Sequence, residues 1–322
     1  MQTELSEQSL GRATSKRTRA MQTTDHIVRV ILFACALLLV ITIIAVFVYV
    51  GMNGIQSFSD YGGSQFPTFF TSNNWNAFPD SGLPTFGARD FIIGSAITTF
   101  FSTIIAAPLA FCVALFFNEL APKGLIRFCQ PLLEIFVGIP SVVIGFLGLV
   151  VIGPFIGNLV APITHSATGG YGFAIAIIVL IIMILPTITS VSIDALRAVP
   201  SSVREASYAL GSTRWQTMWK AILPAAAPAL VTAVILGLSR AIGETLAVSM
   251  VLGGSSLPDN LFSLQGFFTP TTSITREIVQ DFQESAGSPA RDAIWLLAFT
   301  LLVISFLFIC VSRYFASRSV YK

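Results

Sequence analysis

The stretch REASYALGSTRWQTMWKAILP, Arg204 to Pro224, is a polar island set between long apolar segments, and the rest of the chain is arranged around it. Pro200 interrupts what precedes it. Ser202 followed by Glu205 is a capping-box start for a helix carrying Val203, Ala206 and Leu210 on one side. Gly211 stops that helix. Thr213 with Gln216 starts a second, on which Trp215, Met218, Trp219 and Ile222 recur at helical spacing before Leu223 and Pro224 close the unit. The spacing predicts a knob of two short helices hinged at a glycine and held at a membrane face.

Composition places that knob on a membrane protein. Hydrophobic residues make up 54% and charged residues 11% of the 322 residues, and mean hydropathy is +0.80, whereas a soluble domain has about a quarter of its residues charged. Cys35, Cys112, Cys129 and Cys310 lie in or beside apolar runs without C-x-x-C pairing, so neither disulfides nor a metal site is expected. His26 and His165 are isolated. The sequence has no glycine-rich nucleotide loop, H-E-x-x-H or G-x-S-x-G pattern, so nothing in it hydrolyses ATP or peptides unaided. No feature points to nucleic acid.

In chain order, residues 1–25 read as a disordered basic tail with Arg12, Lys16, Arg17 and Arg19. Residues 26–90 hold a first span, Ile27 to Val50, and a loop. The span is longer than a signal-peptide core of about 7–15 residues and lacks a small-residue cleavage site, so it is read as uncleaved. Gly51 to Asp90, with Trp75, Phe78, Pro79 and Pro84, reads as an external loop lying on the bilayer surface or a partner. A core over 91–312 follows, with the knob near 200–224, and residues 313–322 form a second tail. Spans are expected at Ile92–Phe117, Leu132–Ile152, Phe173–Ala195, Ala225–Leu252 and Ile294–Val311. Thr98, Thr99, Ser102 and Thr103 suit close helix packing, and Pro108 and Pro186 suit kinks. Gly153 to Gly172 turns outside. Gly253 to Ala290 is a second external loop made acidic by Asp259, Glu277, Asp281 and Glu284. Basic residues gather on the side of the knob and of both termini, which assigns that side to the cytosol.

Two charges stand inside the fifth span. Arg240 and Glu244 would each cost about 2.5–3.5 kcal/mol facing lipid at the bilayer centre, so they face protein or water. Spaced i, i+4, they share a helix face, and Gly237 and Ala241 leave room for a partner helix or a solute. One reading has the guanidinium receiving a passing oxyanion, with Glu244 neutralising it when the path is empty. The other is a buried ion pair joining helices.

Glu205-Ala206-Ser207, Gly211 and Leu223-Pro224 resemble the E-A-A, three residues, G, nine residues, I-x-L-P motif of ABC importer permeases, with Ser207 for the second alanine and Ala221 at the isoleucine position. RAIGETLAV at Arg240 to Val248 resembles the R-A-x-G-E-T-x-A-V signature of phosphate importer permeases, the PstC and PstA pair, and GIPSVVIG at Gly138 to Gly145 resembles their third-span segment. The first external loop and the basic tail are more similar to PstC.

The resemblance implies an all-α polytopic membrane protein with six transmembrane helices, a type I ABC importer permease core with an added N-terminal helix. It implies a bacterial inner-membrane location with both termini cytosolic, a PstA-like second permease, a cytosolic PstB-like ATPase dimer that binds the ATP and Mg, and an external PstS-like phosphate-binding protein. This chain would then be a transport subunit with no cofactor and no ATPase site of its own. Arg204, Glu205, Ala206, Gly211 and Pro224 would couple to the ATPase, and Arg240 and Glu244 would line the phosphate path. Pro140, with Ser141 beside it, is a candidate gate or a packing kink that frees the carbonyl of Phe136. Glu134 is read as a structural carboxylate at a helix start, and Asp194 with Arg197 as an interfacial ion pair. Two alternatives remain open: a permease for another oxyanion such as sulfate or molybdate, and a non-transporting membrane regulator that reports phosphate supply.

Overall fold

A chain in hydrocarbon must satisfy its own backbone N–H and C=O groups, so apolar runs that cross a bilayer become helices. In the computed structural model, which describes residues 2–60, 66–76, 85–164, 170–261, 263–284 and 290–319, six helices are long and apolar enough to do so: Asp25–Gln56, Arg89–Leu120, Ser141–Val160, Phe173–Arg197, Arg214–Gly243 and Ala293–Tyr314. In chain order the elements are α1 (Gln2–Asp60), α2 (Phe66–Thr71), β1 (Trp75–Asn76), β2 (Thr85–Phe86), α3 (Arg89–Leu115), α4 (Lys123–Gly138), α5 (Ser141–Leu147), α6 (Gly153–Thr164), α7 (Phe173–Arg197), α8 (Ser201–Ala209), α9 (Arg214–Thr217), α10 (Leu223–Gly243), α11 (Leu246–Leu252), α12 (Leu264–Phe267), α13 (Ile274–Glu284) and α14 (Ala290–Ser319). Phe78, Pro79, Pro84, His165 and residues 320–322 lie outside the described residues.

Contacts divide the chain into Met1–Met52 and Asn53–Lys322. The first unit is helix along its described length, which corrects the expectation of a disordered tail. Residues 2–25 are polar, but they are rich in Gln, Glu, Leu, Ala, Arg and Lys, which tolerate a helix well, and Gly11 is the one strong breaker among them.

In the second unit α7 is the central helix: 56% of its apolar window is buried, against 22% for the last span. Ala106 and Ala110 of α3 and Ala233 and Ala241 of α10 pack around Ile184 and Ile188 of α7, and their small side chains let the three axes approach closely. Thr98, Thr99, Ser102 and Thr103 are buried as expected. The hydroxyls of Thr98 and Ser102 donate to carbonyls of their own helix, Gly94 O and Thr99 O, so they enter the interface without needing a partner there.

Two spans are placed differently from the hydropathy reading. The third is Ser141–Val160 rather than Leu132–Ile152. Pro140 ends α4, because proline pushes the residue before it out of the helical region, and Ile139 is extended at φ −64°, ψ 130°. Glu134 therefore lies exposed in the second half of α4, not at the start of a span. The expected fifth span, Ala225–Leu252, is also divided. A continuous helix runs from Arg214 through α9, a π turn at Met218–Ile222 and α10 to Gly243. Leu223 and Pro224 thus do not close the knob. Pro224 lies inside this helix, as the second residue of α10 directly after the π turn. Glu244 is extended, and α11 begins anew at Leu246.

The end of the bundle opposite the knob is closed by the chain itself. Trp75 and Phe86 pair across an antiparallel two-stranded hairpin, and Phe69, Phe86 and Phe91 pack with Ile274, Ala293, Leu296 and Leu297 of α13 and α14. Trp75 Nε1 donates to Asp281 Oδ2 at 2.9 Å. The loop expected to rest on the bilayer or a partner rests on this chain. The acidic second loop is likewise folded inward: Glu277 and Asp281 are each 5% exposed. Beside Glu277, burial pushes the Arg276 guanidinium below its ordinary range, with the neighbouring carboxylate opposing that shift. The side chain of Glu284 lies outside the described residues.

Candidate functional site

Arg240 stands three residues before the end of α10, where two broken helices and α7 come together. Its Nη1 donates to Thr187 Oγ1 at 2.7 Å, and Thr187 lies near the middle of α7, directly after Pro186. Its Nη2 donates to the carbonyl of Val137 at 3.3 Å. That carbonyl is available because α4 stops at Gly138, and the last carbonyls of a helix have no partner within it. The Phe136 carbonyl, expected to be free, accepts from Ile139 N at 3.4 Å. The proline break has displaced the orphan by one residue, and Arg240 occupies it.

Glu244 is not the partner of Arg240. Among the described residues no ion pair joins them, because the chain leaves the helix between them: Glu244 is the extended residue after α10, at φ −75°, ψ 117°. Its Oε1 accepts from Ala247 N at 3.1 Å. The carboxylate thereby caps the start of α11, where the helix dipole favours negative charge. Both earlier readings of the pair, a neutraliser for the empty path and a buried ion pair, are corrected by this geometry. The small residues beside it are occupied as well: Gly237 packs directly on Ile188, so the space is filled by α7 and not by a solute.

The second break adjoins the first. A Cβ on Gly145 would lie 2.6 Å from Ala247 Cα, so α5 and α11 touch backbone to backbone. Pro140 is the residue preceding α5 and Ser141 its first, half-buried, residue. The structure thus brings Arg240, Val137 O and Thr187 into direct contact, with Pro140 and Ser141 in the chain turn that follows Val137. Glu244 is tied to α11. Discontinuous helices with free termini inside a bundle are a common basis for solute and ion sites in transporters. Thr187 was not singled out by the sequence; a threonine directly after a proline in an apolar span was the available signal.

At the knob, the structure separates the motif residues by direction. Gly211 has φ +81°, the left-handed region that glycine adopts without strain, and forms the hinge. The second helix start is as read: Gln216 N donates to Thr213 Oγ1 at 3.3 Å and Thr213 N to Gln216 Oε1 at 3.0 Å. The first is not. The residue before α8 is Pro200, and no side chain caps it, so the Ser202–Glu205 box is absent. Pro200 itself ends the preceding turn and presets the backbone for a helix. Met218 and Ile222 are buried against Leu196 and Val199, while Leu210 is 87% and Trp215 62% exposed. Glu205, Ala206 and Pro224 are exposed. Ser207, at the second alanine position, shares a hydrogen bond of 3.0 Å with Thr217 Oγ1 and joins the two halves of the knob.

Arg204 faces inward. It donates to the carbonyls of Leu196 at 3.1 Å and Val199 at 3.0 Å, and to Glu119 Oε1 at 3.2 Å. Nearby, Arg197 donates to Gln130 Oε1 at 3.1 Å, and among the described residues no ion pair joins it to Asp194.

Residues 108–321 match the family described as binding-protein-dependent transport system inner membrane component. The chain is 45% identical over 291 residues, 90% of each protein, to a probable ABC transporter permease, YqgH, of Bacillus subtilis. It is 32% identical over 314 residues, 93% of this chain and 92% of the relative, to the phosphate transport system permease PstC of Mesorhizobium japonicum. A solved bacterial ABC transporter involved in import of the acidic polysaccharide alginate superposes with a TM-score of 0.62 at 17% identity, over 92% of this chain and 99% of that one. That likeness concerns the fold.

Proposed function

The chain belongs to the family of binding-protein-dependent transport system inner membrane components, and from that premise we propose that it is the PstC-type permease subunit of an ATP-driven importer of inorganic phosphate. It works beside a PstA-like permease, a PstB-like ATPase dimer on the knob side and a PstS-like binding protein on the other. PstC permeases of several bacteria align with it over most of their length. The cluster of Lys123, Arg127, Arg197, Arg214 and Lys220 around the knob supports a cytosolic position for that side.

The observation that carries the substrate is the state of Arg240. Its two described side-chain partners, Thr187 Oγ1 and Val137 O, are neutral, so its charge is held by hydrogen bonds without being cancelled. A guanidinium with a planar fork of donors, uncompensated within a membrane span, suits a tetrahedral oxyanion on both charge and geometry. Uphill uptake further needs an alternation between inward and outward openings. Shifting such an equilibrium from 1:99 to 99:1 takes about 5.5 kcal/mol of differential binding. ATP binding by the partner ATPase supplies it through the exposed knob.

The test is phosphate uptake into vesicles holding the full importer. Losing a charge-assisted hydrogen bond costs about 1.5–3 kcal/mol, so Arg240→Ala should lower uptake by at least roughly tenfold with the complex still assembled. Arg240→Lys should retain part of it. Undiminished uptake in Arg240→Ala would assign Arg240 to scaffolding, and stronger competition by sulfate or molybdate than by phosphate would change the substrate.

A further inference from the structure

Spans four and five are continuous with the knob. Only Ala198, Val199 and Pro200 separate α7 from α8, and the helix from Arg214 runs on into α10. Span two has no such connection. Its knob-side end, a π turn at Phe116–Leu120 following α3, meets the knob, among the described residues, through side chains. Ala114 and Leu115 pack with Leu196, Val199, Met218 and Ile222, and a polar tie crosses the gap: Arg204 of α8 to Glu119, 85 residues apart in sequence.

The tie is built for stiffness. Two guanidinium nitrogens, Nε at 3.4 Å and Nη2 at 3.2 Å, reach the same Glu119 oxygen. That oxygen also accepts from Asn118 Nδ2 at 2.6 Å. The remaining donors hold the Leu196 and Val199 carbonyls at the end of α7, where a cation is favoured by the helix dipole. Arg204 and Glu119 side chains are 23% and 14% exposed, so the pair is largely withdrawn from solvent and weakly screened. The exposed Glu205 beside it is left for a partner. Adjacent residues of one motif thus divide the work, one facing out and one facing in.

We infer that Glu119 is a positioning residue of the transport cycle: through Arg204 it fastens span two to the coupling knob, so that a displacement of the knob is delivered to spans two, four and five together. Span two packs along α7 and supplies Ala106 and Ala110 to the core shared with α10. Without the clasp, α7 and α10 would shift against a lagging α3, and the knob's movement would be lost as sliding at that interface.

This inference rests on the importer reading, and the experiment separates the two. Phosphate carried and ATP hydrolysed are measured together in vesicles holding the complete importer with this chain as wild type, Glu119→Gln, Glu119→Asp, Arg204→Gln, or the double Gln variant. Wild type that carries no phosphate overturns the substrate reading, and the clasp is then judged on how far the external binding protein stimulates ATP hydrolysis in each variant relative to wild type. With coupling free energies typically about 1–3 kcal/mol, Glu119→Gln should lower phosphate carried per ATP by roughly fivefold or more while ATPase co-purification is unchanged. Glu119→Asp, which keeps the charge on a shorter arm, should fall between, and decides the matter should Glu119→Gln fail to assemble. In the Arg204→Gln background, Glu119→Gln should add nothing. Wild-type coupling in Glu119→Gln or Glu119→Asp, or losses that multiply in the double variant, would overturn the clasp.

Discussion

The two ends of the bundle treat their charged and aromatic residues in opposite ways. At the end away from the knob, Asp281 holds the Trp75 indole, Asp90 accepts from Leu257 N at 3.2 Å, and phenylalanines from the first loop fill a core with α13 and α14. At the knob, Trp215 and Trp219 lie against each other with ring centroids 5.6 Å apart yet remain exposed, and Leu210 projects outward, while Arg204 and Glu119 are turned in. Large apolar side chains left in solvent are unfavourable unless something covers them. Among the described residues the first end is filled by this chain's own side chains, and the second, on the proposed reading, is one half of an interface.

Three substitutions sharpen or break this contrast. The largest effect is expected at the hinge. Gly211→Val forces a β-branched residue into the left-handed region, a strain of about 1–3 kcal/mol, at a position where nothing lies within 4 Å to oppose a change of path. The knob should reorient and uptake fall to background, while melting of the purified chain barely moves. Normal uptake would show that the exposed surface is not a coupling surface. Next, Trp75→Phe removes a hydrogen bond to a buried carboxylate, worth about 1.5–3 kcal/mol. Thermal stability should drop with uptake per assembled complex unchanged; a selective loss of uptake would give the self-contained end a functional role. The smallest effect is Ser207→Ala, which removes the link to Thr217 and should cost about 0.5–1.5 kcal/mol. It should loosen the knob measurably by hydrogen exchange at Thr213–Thr217. No change there would mean that Gly211 alone sets the hinge.

The reading of the sequence succeeded where a property is additive along the chain and failed where it depends on a stop. Six spans were legible because hydropathy sums over about 20 residues, and the helix Phe173–Arg197 was placed within two residues of its end. The third and fifth spans were misplaced because Pro140 and Gly243-Glu244-Thr245 lie inside apolar runs, where hydropathy registers only composition. Gly243 followed by a carboxylate that caps Ala247 is a helix stop and a new start. Reading through it placed Arg240 and Glu244 on one face and produced an ion pair that is not there. Arg240 as the charge at the site was legible from its cost in a membrane. Its partners Thr187 and Val137, 53 and 103 residues away, were not, since no periodicity links them to it. The clasp between Glu119 and Arg204 escaped for the same reason.

If Arg240 receives the anion, as proposed, the orphaned carbonyl left by the proline break has a consequence for how tightly cargo is held. A resting guanidinium that already gives two of its five N–H groups to a hydroxyl and a backbone oxygen is never bare, and an incoming anion that takes those two takes donors that are in use. Its net hold is the difference between two sets of bonds rather than the whole strength of one. When the anion departs, the same two oxygens are there to receive the donors back, and departure leaves no unsolvated cation behind. On that reading a break in a helix, made by one residue without an N–H, would keep the conduit from becoming a trap.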